Sequence, residues 1–320
     1  MATDLSKYKF NHSMIRVKDP VESVKFYEFL GMKLIDKSSH PDAKFDLYFL
    51  AYDSPGALSH GAHRSNREGI VELTHNYGTE NDTDYKVATG NSEPGKGFGH
   101  LCISVDNIQA ACKRIEDAGY KFQKKLTDGR MHNIAFVLDP NGYWIEIIAM
   151  NDVEATENVK ETDVNTYRMN HTMIRVKDIE KSLDFYQDVM GMKLLKQNDF
   201  KEAGFSLYFL AYGSGAGSNA SAVNPRVNAE GILELTYNHG SEKDDSVKYH
   251  SGNTEPQGFG HIAVSVDDIE AACQRFEDKK VNFKKRLTDG RMKSIAFILD
   301  PDGYWIEIIP NQTLKPRANA

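Results

Sequence analysis

Along residues 11–19, "NHSMIRVKD", apolar and polar side chains alternate with the two-residue period of a strand. Phe10, His12, Met14 and Arg16 share one face, and Ile15 and Val17 share the other. The period then lengthens. "DPVESVKFYEFLGM" predicts a helix with Pro20 near its start, Val24, Tyr27 and Leu30 on one face, and Gly31 at its end. "KFDLYFLAY" and "GIVELTHN" return to strand character, rich in aromatic and branched residues. The pattern restarts with the strand "GHLCISV" and a helix that puts Ile108, Ala111, Cys112 and Ile115 on one face. Two strands follow, "IAFVLD" and "YWIEII", joined by the turn "DPNG".

All of this happens twice. "NHTMIRVKD" at 170–178, "LYFLAY" at 207–212, "GILELTYN" at 231–238 and "GFGHIAVSVDDIEAAC" at 258–273 repeat earlier segments about 160 residues on. So long a period means a duplicated domain, not a solenoid. The chain is predicted to be α+β, with four βαβββ modules near 10–77, 97–150, 169–239 and 258–310, strongly curved sheets and outer helices. One domain covers 1–150 and the other 169–320, and the polar, acidic segment 151–168 reads as a linker long enough to leave their arrangement open.

A carboxylate in an apolar strand costs several kcal/mol unless it is paired or bound to a metal. Glu146 sits in "YWIEII", and Glu307 sits in the same place in the second copy. Glu72 and Glu234 lie in the earlier "ELT" strands, on one face with Asn76 and Asn238. Of the histidines, four keep phase between the copies, His12 with His171 and His100 with His261. Each module thus offers one His in its first strand and one Glu in its last. Two modules together supply two imidazoles and two carboxylates, a set suited to a divalent ion with borderline ligands, Zn²⁺ first and Ni²⁺ second. The competing reading is a buried His–Glu hydrogen-bond pair. Arg16 and Arg175 share the proposed ligand face and call for an anionic partner. The lysine-rich runs "KFQKKLTDGRM" and "NFKKRLTDGRM" also read as solvated edges that block aggregation.

Composition narrows the classes. A net charge of −7 argues against nucleic acid as a partner. No apolar run reaches membrane-spanning length, and "MATDLSKYKF" carries no apolar signal core, which points to a cytoplasmic protein without membrane attachment. Cys102, Cys112 and Cys273 form neither a disulfide framework nor a zinc knuckle, and Cys112 and Cys273 read as buried reduced thiols. The sequence holds no H-E-x-x-H, no phosphate loop and no spacing for a Ser or Cys nucleophile.

"MIRVKDP", "LYFLAY", "ELTHN", "GFGH", "DGRM" and "DPNGYWIEI", over about residues 8–310, resemble eukaryotic glyoxalase I (lactoylglutathione lyase), and the double length resembles its fungal form. The resemblance implies the vicinal-oxygen-chelate fold, with the modules paired into two curved sheets. It implies isomerisation of the methylglyoxal–glutathione hemithioacetal to S-D-lactoylglutathione, by Glu-mediated proton transfer through a metal-stabilised enediolate. It implies methylglyoxal detoxification, with glutathione as co-substrate. The sequence alone leaves the module pairing open. The resemblance pairs the first module with the fourth and the second with the third. Site A then takes His12, Glu72, His261 and Glu307, and site B takes His100, Glu146, His171 and Glu234. Glu307 and Glu146 would be the main bases, with Glu72 and Glu234 across the metal. Arg16, Asn76, Lys285 and Met292 would hold substrate in site A, and Arg175, Asn238, Lys124 and Met131 in site B. With both sites on one chain, a monomer is expected. Departures between the copies, Lys96 against Gln257 and His75 against Tyr237, leave room for sites unequal in affinity or rate. Two other readings stay in view on this fold: an Fe-dependent ring-cleaving dioxygenase and a small-molecule-binding module.

Overall fold

The computed structural model describes residues 2–129, 131–156, 158–213, 225–290 and 292–314. Arg130 and Arg291 of the two "DGRM" motifs, and Glu157 of the linker, lie outside them. Each module has the order βαβββ. The first runs β1 (Lys9–Val17), α1 (Pro20–Phe29), β2 (Lys33–His40), β3 (Phe45–Ala51) and β4 (Ile70–Asn76). The second runs β5 (Phe98–Val105), α2 (Ile108–Asp117), β6 (Phe122–Lys124), β7 (Ile134–Leu138) and β8 (Trp144–Ala149). A short α3 (Val153–Thr156) lies in the linker. The third has β9 (Arg168–Val176), α4 (Ile179–Asp184), β10 (Lys193–Phe200), β11 (Phe205–Ala211) and β12 (Ile232–Asn238). The fourth has β13 (Phe259–Val266), α5 (Ile269–Asp278), β14 (Phe283–Lys285), β15 (Ala296–Leu299) and β16 (Trp305–Pro310).

These strands form two eight-stranded sheets, and each sheet draws on both halves of the chain. One has the order β14-β15-β16-β13-β1-β4-β3-β2, so the first module joins the fourth; the other, β10-β11-β12-β9-β5-β8-β7-β6, joins the third to the second. In each sheet the seam between halves is an antiparallel pair, β1 with β13 or β5 with β9, with register shifts at both ends. The strands without apolar alternation, β2, β6, β10 and β14, are the sheet edges. β6 and β14 are three-residue strands inside the lysine-rich runs, so those runs include the short, charged edges that resist edge-to-edge pairing.

Helix α1 begins where Asp19 accepts hydrogen bonds from the Val21 and Glu22 amides, with Pro20 at its first position. It ends at Gly31, whose φ of +94° suits glycine, and a Cβ there would meet the Val164 carbonyl oxygen at 2.7 Å. The inner face of α1 also contains Phe26, fully buried, which the pattern of Val24, Tyr27 and Leu30 passes over. The linker is not a free tether. Asn107 Nδ2 donates to the Val159 carbonyl at 2.7 Å, and Gln109 Nε2 donates to that of Val153 at 3.0 Å. Side chains of the second module thus satisfy carbonyls of the linker backbone and hold the linker against that module. All three cysteines are buried and unpaired.

The halves also interlock through their connecting loops. The Ala88 amide donates to the Gln257 carbonyl at 2.7 Å, and the His250 amide donates to that of Lys96 at 2.8 Å. Glycine is required at this crossing, because a Cβ on Gly258 would stand 1.8 Å from the Ala88 carbonyl oxygen. Gly258→Ala is therefore expected to destabilise the fold by about 2 kcal/mol or more, through backbone that must move. Gly56→Ala, where nothing lies within 4 Å, should change stability by less than about 0.5 kcal/mol. Denaturant midpoints of the two variants test the contrast.

Candidate metal centres

The four strands at the middle of each sheet set the site. In the first sheet one row of paired residues runs His261–Met14–Glu72 across β13, β1 and β4. Two residues along, past the Ser13–Ile262 pair, a second row runs Glu307–Ala263–His12 across β16, β13 and β1. The period of two sends all four ionisable side chains to the same sheet face, where they converge from two alternate rows. The second sheet repeats this with His100–Met173–Glu234 and Glu146–Cys102–His171. Gly99 and Gly260 make room for the intervening methionines, since a Cβ on either would stand 2.4 Å or 2.2 Å from the methionine tip.

Within each quartet all four ligand atoms lie within 4.8 Å of one another. In site A, His12 Nε2 stands 3.3 Å from His261 Nε2, 3.0 Å from a Glu72 oxygen and 3.2 Å from a Glu307 oxygen. In site B, His171 Nε2 stands 3.2 Å from His100 Nε2, 2.8 Å from Glu234 and 3.1 Å from Glu146. Four donors each about 2.0–2.2 Å from one ion would stand roughly 3–3.5 Å apart, so the spacing fits a single divalent ion at the centre. A simple His–Glu hydrogen-bond pair would aim one imidazole at one carboxylate. Here both imidazoles aim the same ring nitrogen at a point the two carboxylates share. The donor set, two nitrogens and two oxygens, suits Zn²⁺ or Ni²⁺.

Charge sharpens the fit. Burial alone would lower the pKa of His12, but Glu72 and Glu307 outweigh it and hold it at about 9. His171 is likewise held at about 9 by Glu234 and Glu146 against burial. Burial works to raise Glu146 and Glu307, yet the facing imidazoles hold both well below the usual carboxylate range. Each site therefore presents ionised carboxylates that need a compensating cation, whether a proton or a metal ion.

Site A opens into a cavity of about 550 Å³ whose lining includes Arg16, Asn76, Gln257 and Met292 as well as the quartet. Among the described residues no carboxylate forms an ion pair with Arg16, although Glu255 and Glu72 act on it from farther away. Its Nη1 donates to the carbonyls of Gly252, Gly258 and Phe259, and its Nη2 donates to Asn253 Oδ1 at 2.9 Å. These neutral acceptors, all from the other half, fix the guanidinium without an ion pair. Arg175 is held in the same way by Gly90, Gly97, Phe98 and Asn91. Asn238 donates to the Tyr249 hydroxyl at 2.9 Å. Lys285 does not line the site A cavity. Its ammonium group donates to the carbonyls of Arg286, Met292 and Ile295, and Lys124 makes the matching bonds to Lys125, Met131 and Ile134. Each lysine thereby ties down the loop that carries Met292 or Met131, both about half exposed. The mismatch of His75 with Tyr237 is local: each ties down the turn after its strand, by a bond to Glu80 or to Glu242.

The pattern of alternation passes over residues next to the ligands. Phe49 and Phe209 pack edge-on against His12 and His171, and Arg64 and Arg226 lie 4.0 Å over the Phe49 and Phe209 rings. Asn11 and Asn170 touch the same two histidines from behind. The signal for the asparagines was present, since the dipeptide Asn-His occupies the same phase in both copies.

The chain matches the family model described as "Glyoxalase/Bleomycin resistance protein/Dioxygenase superfamily" twice, over residues 9–147 and 168–308. It is 51% identical over 309 residues to a lactoylglutathione lyase of Schizosaccharomyces pombe, covering 96% of this chain and 98% of that protein. It is 46% identical to glyoxalase I of Saccharomyces cerevisiae, covering 94% and 92%. Among solved structures, glyoxalase I from Zea mays superposes with a TM-score of 0.69 at 27% identity, covering 95% of this chain and 93% of that one. The α+β module, its fourfold use and the paired sheets all agree with that kinship. The chain belongs to the Glyoxalase/Bleomycin resistance protein/Dioxygenase superfamily, and within it to the glyoxalase I family.

Proposed function

We propose that this glyoxalase I works through two separate metal centres on one chain, one in each sheet. Its reaction is the isomerisation of the hemithioacetal of methylglyoxal and glutathione to S-D-lactoylglutathione. The observation that carries the two-centre reading is the quartet of converging imidazoles and carboxylates, present twice with matching distances. His12, Glu72, His261 and Glu307 would hold one ion, and His100, Glu146, His171 and Glu234 the other, with zinc first among candidates and nickel second. Bound there, the ion would supply positive charge opposite the two substrate oxygens as the substrate loses its proton.

The chain's own part is proton transfer and positioning. Glu307 and Glu146 are assigned as the bases. Their side chains are 12% and 11% exposed, against 5% for Glu72 and for Glu234, so they are the more accessible carboxylates of each quartet. Such a carboxylate takes the proton from the hydrogen-bearing hemithioacetal carbon and returns it to the neighbouring former ketone carbon. One group thus serves as base and then as acid, without net change. Glu72 and Glu234 lie across the cluster and are assigned to the opposite stereoisomer. Arg16 with Asn76, and Arg175 with Asn238, would hold the γ-glutamyl end of glutathione. The arginine charge, fixed by neutral carbonyls, is free to meet a carboxylate. Lys285 and Lys124 would receive the glycyl carboxylate by exchanging one loop carbonyl for it, and Met292 and Met131 would wall the pocket. Each quartet is complete within one chain, which supports a monomer. Free, buried cysteines suit the cytoplasm.

Two outcomes are expected. Glu146→Gln and Glu307→Gln should each leave roughly half of the activity, and the double variant should fall about 10²–10⁴-fold, the usual worth of a general base. Loss of all turnover from one single change would sink the two-centre reading. Second, His12 and His171, with pKa values of about 9 before metal enters, carry protons at neutral pH that the ion must displace. Apparent metal affinity at each site should therefore climb about tenfold per pH unit between pH 6.5 and 8.5 and level off above about pH 9. Calorimetry in two buffers of different ionisation enthalpy would count the released protons, and pH-independent affinity would exclude these imidazoles as ligands.

A further inference from the structure

Behind His12, and again behind His171, lies a fully buried asparagine whose orientation is fixed. Asn11 Nδ2 donates to the carbonyls of Arg64 and Arg67, both at 2.9 Å. Its Oδ1 is thereby turned toward His12, and it accepts from the His12 Nδ1–H at 2.8 Å. The second half repeats the arrangement: Asn170 Nδ2 donates to the carbonyls of Arg226 and Ala229 at 2.7 and 2.9 Å, and its Oδ1 accepts from His171 Nδ1–H at 2.8 Å. Two backbone acceptors decide which end of the amide faces the ring, since only the nitrogen end can satisfy them. The ring nitrogen facing the amide oxygen must then carry hydrogen, so in the neutral imidazole the lone pair sits on Nε2, the nitrogen aimed into the quartet. Among the described residues, His100 and His261 have no matching contact.

We propose that Asn11 and Asn170 are positioning residues of the two centres, which select the metal-ready tautomer of His12 and His171 and hold each ring in its ligating orientation. The proposal rests on the reading of the quartets as metal centres. It also joins the ligand to the substrate cavity, because the segment that fixes Asn11 includes Arg64 and Ser65, which line the wall of site A.

The test uses the full chain, stripped of metal and titrated with zinc against a chromophoric chelator. Wild type should take up two ions. Asn11→Leu, which removes the acceptor, should weaken one of the two by about 10–100-fold, the usual worth of a ligand's outer partner, and leave the other unchanged. Asn170→Leu should do the same to the other ion. The retained ion reports that the chain is folded. Asn11→Asp keeps an acceptor toward Nδ1–H and gives up the donor to the loop, so it should hold both ions within about threefold of wild type, on the same outer-partner logic. In zinc-loaded protein, the hydrogen-bonded Nδ1–H resonance of His12 should be present in wild type and in Asn11→Asp and lost in Asn11→Leu. Two ions held by Asn11→Leu as tightly as by wild type would overturn the proposal. So would a loss in Asn11→Asp as large as in Asn11→Leu, which would assign the effect to the loop. Wild type that binds no zinc would instead overturn the metal-centre reading and this proposal with it.

Discussion

Two carboxylates buried a few ångströms apart repel each other and lose their hydration, so a fold can keep them there only by bringing positive charge to the same place. In each sheet that place is the seam between halves. One imidazole comes from each side of the antiparallel pair, and one glutamate comes from each flanking strand. Much else follows from holding this seam in register. The glycines before His100 and His261 let a methionine from the facing strand lie flat. The connecting loops cross where glycine alone fits, and the same loops present carbonyls to Arg16 and Arg175. Charge compensation at the centre and interlocking at the rim are thus one arrangement seen at two depths.

Much of this was legible in the sequence, because strand period and duplication report on the same faces. His12, Glu72, His100 and Glu146 stand out as polar residues on strands whose neighbours are apolar, and the second copy marks them again. The strands at the sheet edges were not legible. β2 and β10 are half in water, so no alternation is imposed on "KLIDKSSH" or "KLLKQNDF". Module pairing was not legible from pattern either, since a strand that seeks an antiparallel neighbour carries no record of which half supplies it. The linker misled for a related reason: its polar residues look solvated, while several of its backbone groups are bound by Asn107 and Gln109. The asparagines behind the histidines were visible only as a repeated letter, because their role depends on carbonyls more than fifty positions away.

The two arginines show how a charge can be fixed in place without an ion pair. Arg16 and Arg175 are gripped by backbone carbonyls and an asparagine oxygen, which orient a guanidinium without neutralising it. A carboxylate partner would hold it as firmly and would remove its use to an incoming anion. Lys285 and Lys124 follow the same logic, with three carbonyls each. Neutral oxygens thus serve as placeholders for anionic ones.

The seam has one more consequence. In a symmetric dimer of half-length chains a single substitution would occur in both sites at once, and any loss would be doubled. Here the corresponding rows read Glu307–Ala263–His12 and Glu146–Cys102–His171, so the residue between the ligands already differs. Joining the halves in one chain gives each centre its own heredity. On the two-centre proposal, one centre is free to drift toward a new metal, rate or aldehyde while its twin maintains the original turnover.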